Sequence, residues 1–329
     1  MRFLIYHASY HRLQDALAKA APGVEFVLMD DSGALTLDTR PIALEEAGVE
    51  AAWANAEAWF GPAARDYTVA MLKSPGLRWL QSGAAGFDHP MFSQLVQRGV
   101  KLTTSHGQAV GMADYVLWGV LDHFQKGAER RAAQAAHRWD RLQFRDIERT
   151  RWLVIGFGSI GQGVGQRARA FGAHVTGVRR NQAPHPAADL IAADKDIPGL
   201  LPEADVVVLS VPLTPETRHL VDADFLARMK PRSVLVNVGR GGLVDEPALL
   251  AALDKGVPEY ALLDVFETEP LPAESRFWDH PRVTLTAHAS GISEGQALRN
   301  DELFVENLRR YAAGEPLLNL ADPKDVLAG

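Results

Sequence analysis

Arg240, Glu269 and His288 form a chemically coherent set late in the chain, in the stretches "SVLVNVGRGGLVDE", "YALLDVFETEP" and "RVTLTAHASG". Each stands at or shortly past the end of an apolar run that reads as a strand. In open parallel sheets the carboxyl ends of strands border the ligand crevice. A histidine donates a proton near neutral pH, and a carboxylate beside it stabilises the charged ring and fixes its orientation. A guanidinium grips a carboxylate and polarises an adjacent carbonyl. Reduction of a 2-oxoacid would make these demands: Arg240 would anchor the substrate, His288 would protonate the oxygen on which charge builds, and Glu269 would support His288. Singly, each has a bland reading: a packing histidine, a turn-capping arginine, a solvated carboxylate before Pro270. The set gains meaning only beside a source of hydride.

That source is suggested by "VIGFGSIGQG". Gly156, Gly158 and Gly161, with Ser159 and Ile160 between them, follow the strand-like "RWLVI" and open the helix-like "SIGQGVGQRARAFG". GxGxxG alone is a weak signal, because glycine-rich turns arise easily. With a strand before it, a helix after it and a second strand ending at Val178, it reads as a dinucleotide cradle. Arg179 lies 18 positions past Gly161, at the strand tip where an acid usually holds the ribose. An acid repels a 2′-phosphate, whereas a guanidinium binds it with two charge-assisted hydrogen bonds. Arg180 adds a second contact or stacks on the adenine. The expected cofactor is therefore NADP(H) in preference to NAD(H), with NAD(H) still possible; the bland reading is a pair of surface arginines.

These residues need elements to position them. "RWLVIG", "HVTGV", "ADVVVLSV", "SVLVNVG", "YALLDV" and "RVTLTAH" are nearly continuous apolar runs, as expected of parallel strands buried on both faces. Earlier, "RFLIYH", "VEFVLMD", "VEAAWANA", "GLRWLQSGAAG" and "GVKLTTS" read as strands, with the amphipathic "HRLQDALAKAAPG" between the first two. A helical run, "GQAVGMADYVLWGVLDHFQKGAERRAAQAA", connects the two series, and "EGQALRNDELFVENLRRYAAGEP" is an amphipathic helix ended by Gly314 and Pro316. The alternation predicts two α/β domains with doubly wound parallel sheets, which suits a chain of 329 residues.

Composition narrows the function classes. A formal charge of −7 gives no global case for nucleic acid or an anionic membrane, and the basic stretch "ERRAAQAAHRWDRLQFRDIERTR" is interspersed with acids. The absence of cysteine excludes disulfides, thiolate catalysis and cysteine-held metal, and fits a cytoplasmic location. Neither a secretory leader nor a membrane span is expected. His7 and His11 straddle a strand end and a helix start, so no metal site is expected. His106 falls where a crevice between domains is expected, and Trp53, Trp59 and Trp79 read as core. Phe60 and Trp59 either narrow a substrate pocket or pack inside.

The chain resembles the D-2-hydroxyacid dehydrogenase family. The likeness rests on "VIGFGSIGQGVGQRARAFGAHV", "LSVPLTPETRHLVD", "VNVGRGGLVDEPALLAAL", "LLDVFETEPLP" and "HPRVTLTAHASG", in the family's order across most of residues 150–291. "LRWLQSGAAGFDH" resembles its substrate-domain loop and "ENLRRYAAGEPLLN" its C-terminal helix. The resemblance implies Arg240 as substrate anchor, Glu269 as partner carboxylate and His288 as acid/base. Asp264 would meet the nicotinamide carboxamide, and the backbone of Ala85 and Gly86 the substrate carboxylate. Pro212, Thr217, Val238 and Gly291, in the matching stretches, would also line the cofactor.

It further implies a Rossmann-type nucleotide-binding domain over residues 105–291, inserted in a flavodoxin-like substrate domain of residues 1–104 and 292–329. A homodimer would join through helices near residues 108–126, with Trp139 on an arm able to reach the partner's site. Asp114 stands where the family usually carries Glu, which bears on a helix start. Arg179 instead of an acid resembles the NADPH-using glyoxylate/hydroxypyruvate reductase branch, and Glu269 argues against formate dehydrogenases, which have Gln there. No room is expected for the regulatory domain that some phosphoglycerate dehydrogenases append. The leading expectation is reduction of a small 2-oxoacid to the D-2-hydroxy acid. Its rivals are the same chemistry on a bulkier 2-oxoacid, or an NAD(P)H-sensing binding protein like the corepressors of this fold.

Overall fold

The computed structural model describes residues 1–86 and 89–328. Phe87 and Asp88, in the stretch that resembles the substrate-domain loop, lie outside the described residues. The chain divides into two compact units, one of Met1–Gly107 with Glu294–Gly329, the other Gln108–Ser293. The first thus takes in Ser105–Gly107, and the second runs on to Ser293.

The first unit is built on β1 (Arg2–Tyr6), β2 (Glu25–Met29), β3 (Leu35–Leu37), β4 (Arg40–Ile42), β5 (Ala51–Ala54), β6 (Trp79–Ser82) and β7 (Lys101–Thr103), in the order β4-β3-β2-β1-β5-β6-β7. The strands from β2 to β7 along this order pair in parallel, as expected. The antiparallel β3 and β4 were not legible in the sequence. Each is three residues long, and Asp38 and Thr39 between them take φ of 48° and 68°, the left-handed pair of a tight hairpin turn. Pro41 is tolerated because β4 is an edge strand.

Alternation along β1 sends Phe3 and Ile5 to one face and Leu4 and Tyr6 to the other. On the first face the late helix Glu294–Ala313 supplies Phe304 and Leu308, and Phe304 stacks on Trp53 at 4.0 Å and 14°. Full burial of such a side chain contributes about 1.5–3 kcal/mol. Two polar ties fix the same helix: Arg12 forks onto Asp301 (3.0 and 3.2 Å), and the buried Asn307 donates to Gln81 Oε1 at 2.8 Å.

The second unit holds β8 (Arg151–Ile155), β9 (His174–Val178), β10 (Leu190–Ala192), β11 (Val206–Leu209), β12 (Val234–Asn237), β13 (Tyr260–Leu263) and β14 (Val283–Leu285). Its order is β10-β9-β8-β11-β12-β13-β14, and every pairing is parallel. The chain winds outward from β8 to β10, then returns to β11. The reversal between β8 and β11 is the topological switch where such sheets take ligands. Two helices, Ala109–Phe124 and Gly127–Ala135, replace the single run expected there. The break is Lys126, at φ 55° before Gly127.

At the amino ends of these strands Asp205 is buried and accepts from Arg145 (2.5 Å), Lys230 (2.6 Å) and the Arg151 amide (2.8 Å). The Arg145 guanidinium also lies over the Phe124 ring at 4.4 Å. Burial pushes the Asp205 carboxyl up, but its cationic and amide partners outweigh that and hold it below the usual carboxylate range. Among the described residues no helix is long and apolar enough to cross a membrane.

Candidate active site

The glycine-rich turn closes the carboxyl end of β8. Gly156 takes φ 95°, and a Cβ there would lie 2.5 Å from the Ser210 carbonyl carbon and 2.7 Å from the Val211 nitrogen. Only glycine lets β8 and β11 end this close together. At Gly161 a Cβ would meet the Gly156 oxygen at 2.3 Å, whereas Gly158 faces open space. The helix Ser159–Ala170 that follows has no side-chain cap at Gly158. An uncapped helix start with room above its first glycine fits a pyrophosphate, because free N–H groups and the positive helix end face the same volume.

Beyond β9, Arg179 donates from Nη2 to the Ala183 carbonyl at 2.6 Å, while its Nε is buried without a protein partner. Arg180 lies in the neighbourhood of Glu216, in the turn after β11. Glu216 is held below the usual carboxylate range by the Thr214 hydroxyl, by its own amide and by the Arg180 charge. Thr217 closes this turn: its hydroxyl donates to the Pro212 carbonyl and accepts from the Thr214 amide, both at 2.8 Å. Val238 is buried in the core, and a Cβ on Gly291 would lie 3.0 Å from Gln108 Cβ. Of the expected cofactor contacts, the Thr217 hydroxyl and the Val238 side chain are thus engaged within the protein.

After β12 the chain turns through Arg240, whose Nη1 donates to the Gly239 carbonyl at 2.8 Å. After β13 comes "DVFETEP", with three carboxylates on one loop. Asp264 is buried and accepts from Thr286 Oγ1 (2.5 Å), the Ala289 amide (2.8 Å), the Ser290 amide (3.1 Å) and Ser290 Oγ (2.5 Å). Its carbonyl accepts from the His288 amide at 2.8 Å. The residue expected at the nicotinamide therefore shapes residues 286–290 and holds His288 in its left-handed conformation, φ 51°. Glu269 bridges two groups: Oε1 accepts from the Phe266 amide at 2.9 Å, and Oε2 lies 2.8 Å from His288 Nδ1. His288 is half exposed, so pairing at Nδ1 leaves Nε2 as the atom able to deliver a proton.

The turn of Arg240 and the loop of Glu269 interlock. A Cβ on Gly241 would fall 1.8 Å from the Phe266 carbonyl carbon and 2.4 Å from the Glu267 nitrogen, so nothing larger than glycine fits between them. The structure thus brings His288 and Glu269 into direct contact and packs the Arg240 turn on the same loop. A second pair escaped sequence reasoning: His219 Nε2 lies 2.6 Å from Glu267 Oε1, and the Glu267 amide donates to Glu246 Oε1 at 2.8 Å. "ETRHLVD" and "FETEP" contain both residues, but no spacing rule joins positions 48 apart.

The remaining expectations fall in the first unit or at the surface. Ala85 and Gly86 follow β6, where the Ala84 amide donates to Ser82 Oγ at 3.1 Å. Trp59 packs on His89 and Phe92 and donates to the Ala54 carbonyl, whereas Phe60 is 88% exposed, so only Trp59 packs inside. Burial pushes the His106 imidazole pKa down. His7 opens the helix His7–Ala20, and its ring lies 6.4 Å from that of His11. No group of three or more metal-ligating side chains is found among the described residues. Trp139 is almost fully exposed.

Comparison with known proteins identifies the family and the fold. The family described as "D-isomer specific 2-hydroxyacid dehydrogenase, NAD binding domain" matches residues 117–290. A glyoxylate reductase of Thermococcus gammatolerans is 34% identical over 254 residues, covering 74% of this chain and 75% of that one. A D-isomer specific 2-hydroxyacid dehydrogenase of Xanthobacter autotrophicus Py2, solved with NADPH and MES, superposes with a TM-score of 0.78 at 30% identity over 99% of this chain and 98% of its own. An NADPH-dependent glyoxylate/hydroxypyruvate reductase of Sinorhizobium meliloti, solved with NADP and sulfate, gives 0.76 at 27% identity over 99% of both chains. With a dinucleotide cradle at the switch point and a His–Glu pair beside a guarded arginine turn, the chain belongs to the D-isomer specific 2-hydroxyacid dehydrogenase family.

Proposed function

We propose that this protein is an NADPH-dependent reductase that converts a small 2-oxoacid, of the glyoxylate or hydroxypyruvate kind, to the D-2-hydroxy acid. The observation that carries the reading is the 2.8 Å contact between His288 Nδ1 and Glu269 Oε2, on a loop packed against the Arg240 turn. NADPH, when bound, supplies the hydride. The guanidinium of Arg240 binds the substrate carboxylate and polarises the neighbouring carbonyl. His288 gives its Nε2 proton to the carbonyl oxygen as charge builds there, and Glu269 stabilises the imidazolium beforehand. Asp264 acts through the loop it holds.

At the other end, Gly156, Gly158 and Gly161, with the amides of Ser159 and Ile160, receive the pyrophosphate. Arg179 takes the 2′-phosphate through the Nε that lacks a protein partner, and Arg180 adds a second charge. Pro212, Thr217, Val238 and Gly291 enter through their backbone. The functional unit is a homodimer: Trp118 and Phe171, each about half exposed, border an apolar groove with Leu117 and Leu121, and a second copy covers it.

Initial rates with glyoxylate and hydroxypyruvate, with NADPH and then NADH, test the reading. Faster turnover with NADPH is expected. Turnover mainly with NADH would retain the enzyme class and return Arg179 and Arg180 to the surface. No turnover with either would move the substrate to bulkier 2-oxoacids.

A further inference from the structure

His219 touches both loops that carry the proposed chemistry. Its backbone amide donates to the Gly242 carbonyl at 2.9 Å, within the turn that begins at Arg240. Its imidazole Nε2 lies 2.6 Å from Glu267 Oε1, on the loop that also carries Glu269. Its backbone is left-handed, φ 51°, a conformation uncommon outside glycine, though histidine, asparagine and aspartate adopt it more readily than other residues. The side chain is 42% exposed, so burial of apolar surface does not explain its place.

Glu267 would otherwise be poorly kept. Its amide is tied to Glu246 Oε1 at 2.8 Å, which brings two carboxylates close together. Burial, together with repulsion from Glu267, pushes the Glu246 carboxyl up. The His219 imidazole gives the Glu267 carboxylate a partner of its own and so ties this part of the loop, two residues before Glu269.

We propose that His219 is a positioning residue: through Glu267 it locks the Glu269 loop against the Arg240 turn and so sets the distance between the substrate anchor and the proton donor. This inference rests on the reading of Arg240, Glu269 and His288 given above. Misplacement of reacting groups by about 1 Å can cost up to 10²-fold in rate. Loss of this tie is therefore expected to lower kcat/KM about ten-fold, with a rise in KM as the anchor drifts.

The test uses the full-length enzyme with glyoxylate and NADPH. His219→Asn keeps a residue that tolerates the left-handed backbone but is too short to reach Glu267, and His219→Gln restores a donor of sufficient length. The expected result is a ten-fold loss in kcat/KM with raised KM for Asn, and recovery to within about three-fold of wild type for Gln. Glu267→Ala, which removes the acceptor, should lose as much as His219→Asn, and the double variant no more than either single one. If His219→Asn fails to fold, Glu267→Ala carries the test alone. An Asn variant within two-fold of wild type, losses that multiply in the double variant, or a fall in kcat with KM unchanged would each overturn the proposal. His288→Ala is run alongside: if it keeps its turnover, the underlying acid–base reading falls, whereas an inactive His288→Ala with a normal His219→Asn sinks only the positioning role.

Discussion

The two ends of the second unit's sheet are built on opposite plans. At the amino ends, Asp205 is enclosed by Arg145, Lys230 and the Arg151 amide, and its charge is answered within the protein. At the carboxyl ends, His288 stands half exposed with Nε2 turned to other uses, Arg179 keeps a buried Nε without a protein partner, and a helix starts without a cap. One end neutralises its charges and the other holds them ready. Each end also buries one polar atom without a protein partner, but at the amino end it is the neutral Ser233 hydroxyl just before β12, whereas at the carboxyl end it is a nitrogen of the charged Arg179 guanidinium.

Substitutions at the two ends are expected to separate activity from stability. The largest effect is expected from His288→Ala. Turnover should fall by about 10³-fold or more, while stability changes by less than about 0.5 kcal/mol, as judged by initial rates and urea denaturation. Turnover within ten-fold of wild type would remove His288 from the proton-donor role.

Asp205→Ala should do the reverse. Breaking a buried charge cluster is expected to lower unfolding free energy by about 3 kcal/mol in urea denaturation, with kcat per folded molecule within two-fold of wild type. A large loss of kcat without loss of stability would erase the contrast. Arg179→Asp comes next: the NADPH/NADH ratio of kcat/KM should move at least ten-fold toward NADH, with little change in melting temperature. An unmoved ratio would mean that the unmatched Nε serves no phosphate.

The smallest effect sharpens the amino-end side. Because the Asp205 carboxyl is depressed in the folded protein, its stabilisation is fully present above its unfolded value, near pH 4, and is lost as pH falls through the lower folded value. The stability gap between wild type and Asp205→Asn should therefore be constant above about pH 5 and close as the pH drops below about 4. A gap that widened on acidification would contradict the assignment.

Much of this organisation was readable in the residues, and the exceptions have physical causes. The runs "RWLVIG", "ADVVVLSV" and "SVLVNVG" announced β8, β11 and β12 because strands buried on both faces need no polar alternation. The three-residue β3, β4 and β10 carry too few residues to show any period. The break at Lys126 was hidden because a left-handed lysine has no composition signal, although Gly127 follows it. His288 and Glu269 could be paired because both sit past strands that lie side by side. The loop-holding contacts of Asp264 were hidden in the sequence: its four donors come from residues 286–290, which reach it only once that loop folds back.

The discontinuity of the first unit bears on how the chain is made. The face of its sheet that carries Trp53 is covered by Phe304 and Leu308, which leave the ribosome some 250 residues after Trp53. At about 5–20 residues per second, that face waits on the order of 10–50 s for its cover. Meanwhile Gln108–Ser293 has been delivered whole and already holds every strand of its own sheet. Encoding order and completion order are inverted: the unit begun first is finished last, and during translation its aromatic face is the surface a chaperone would meet.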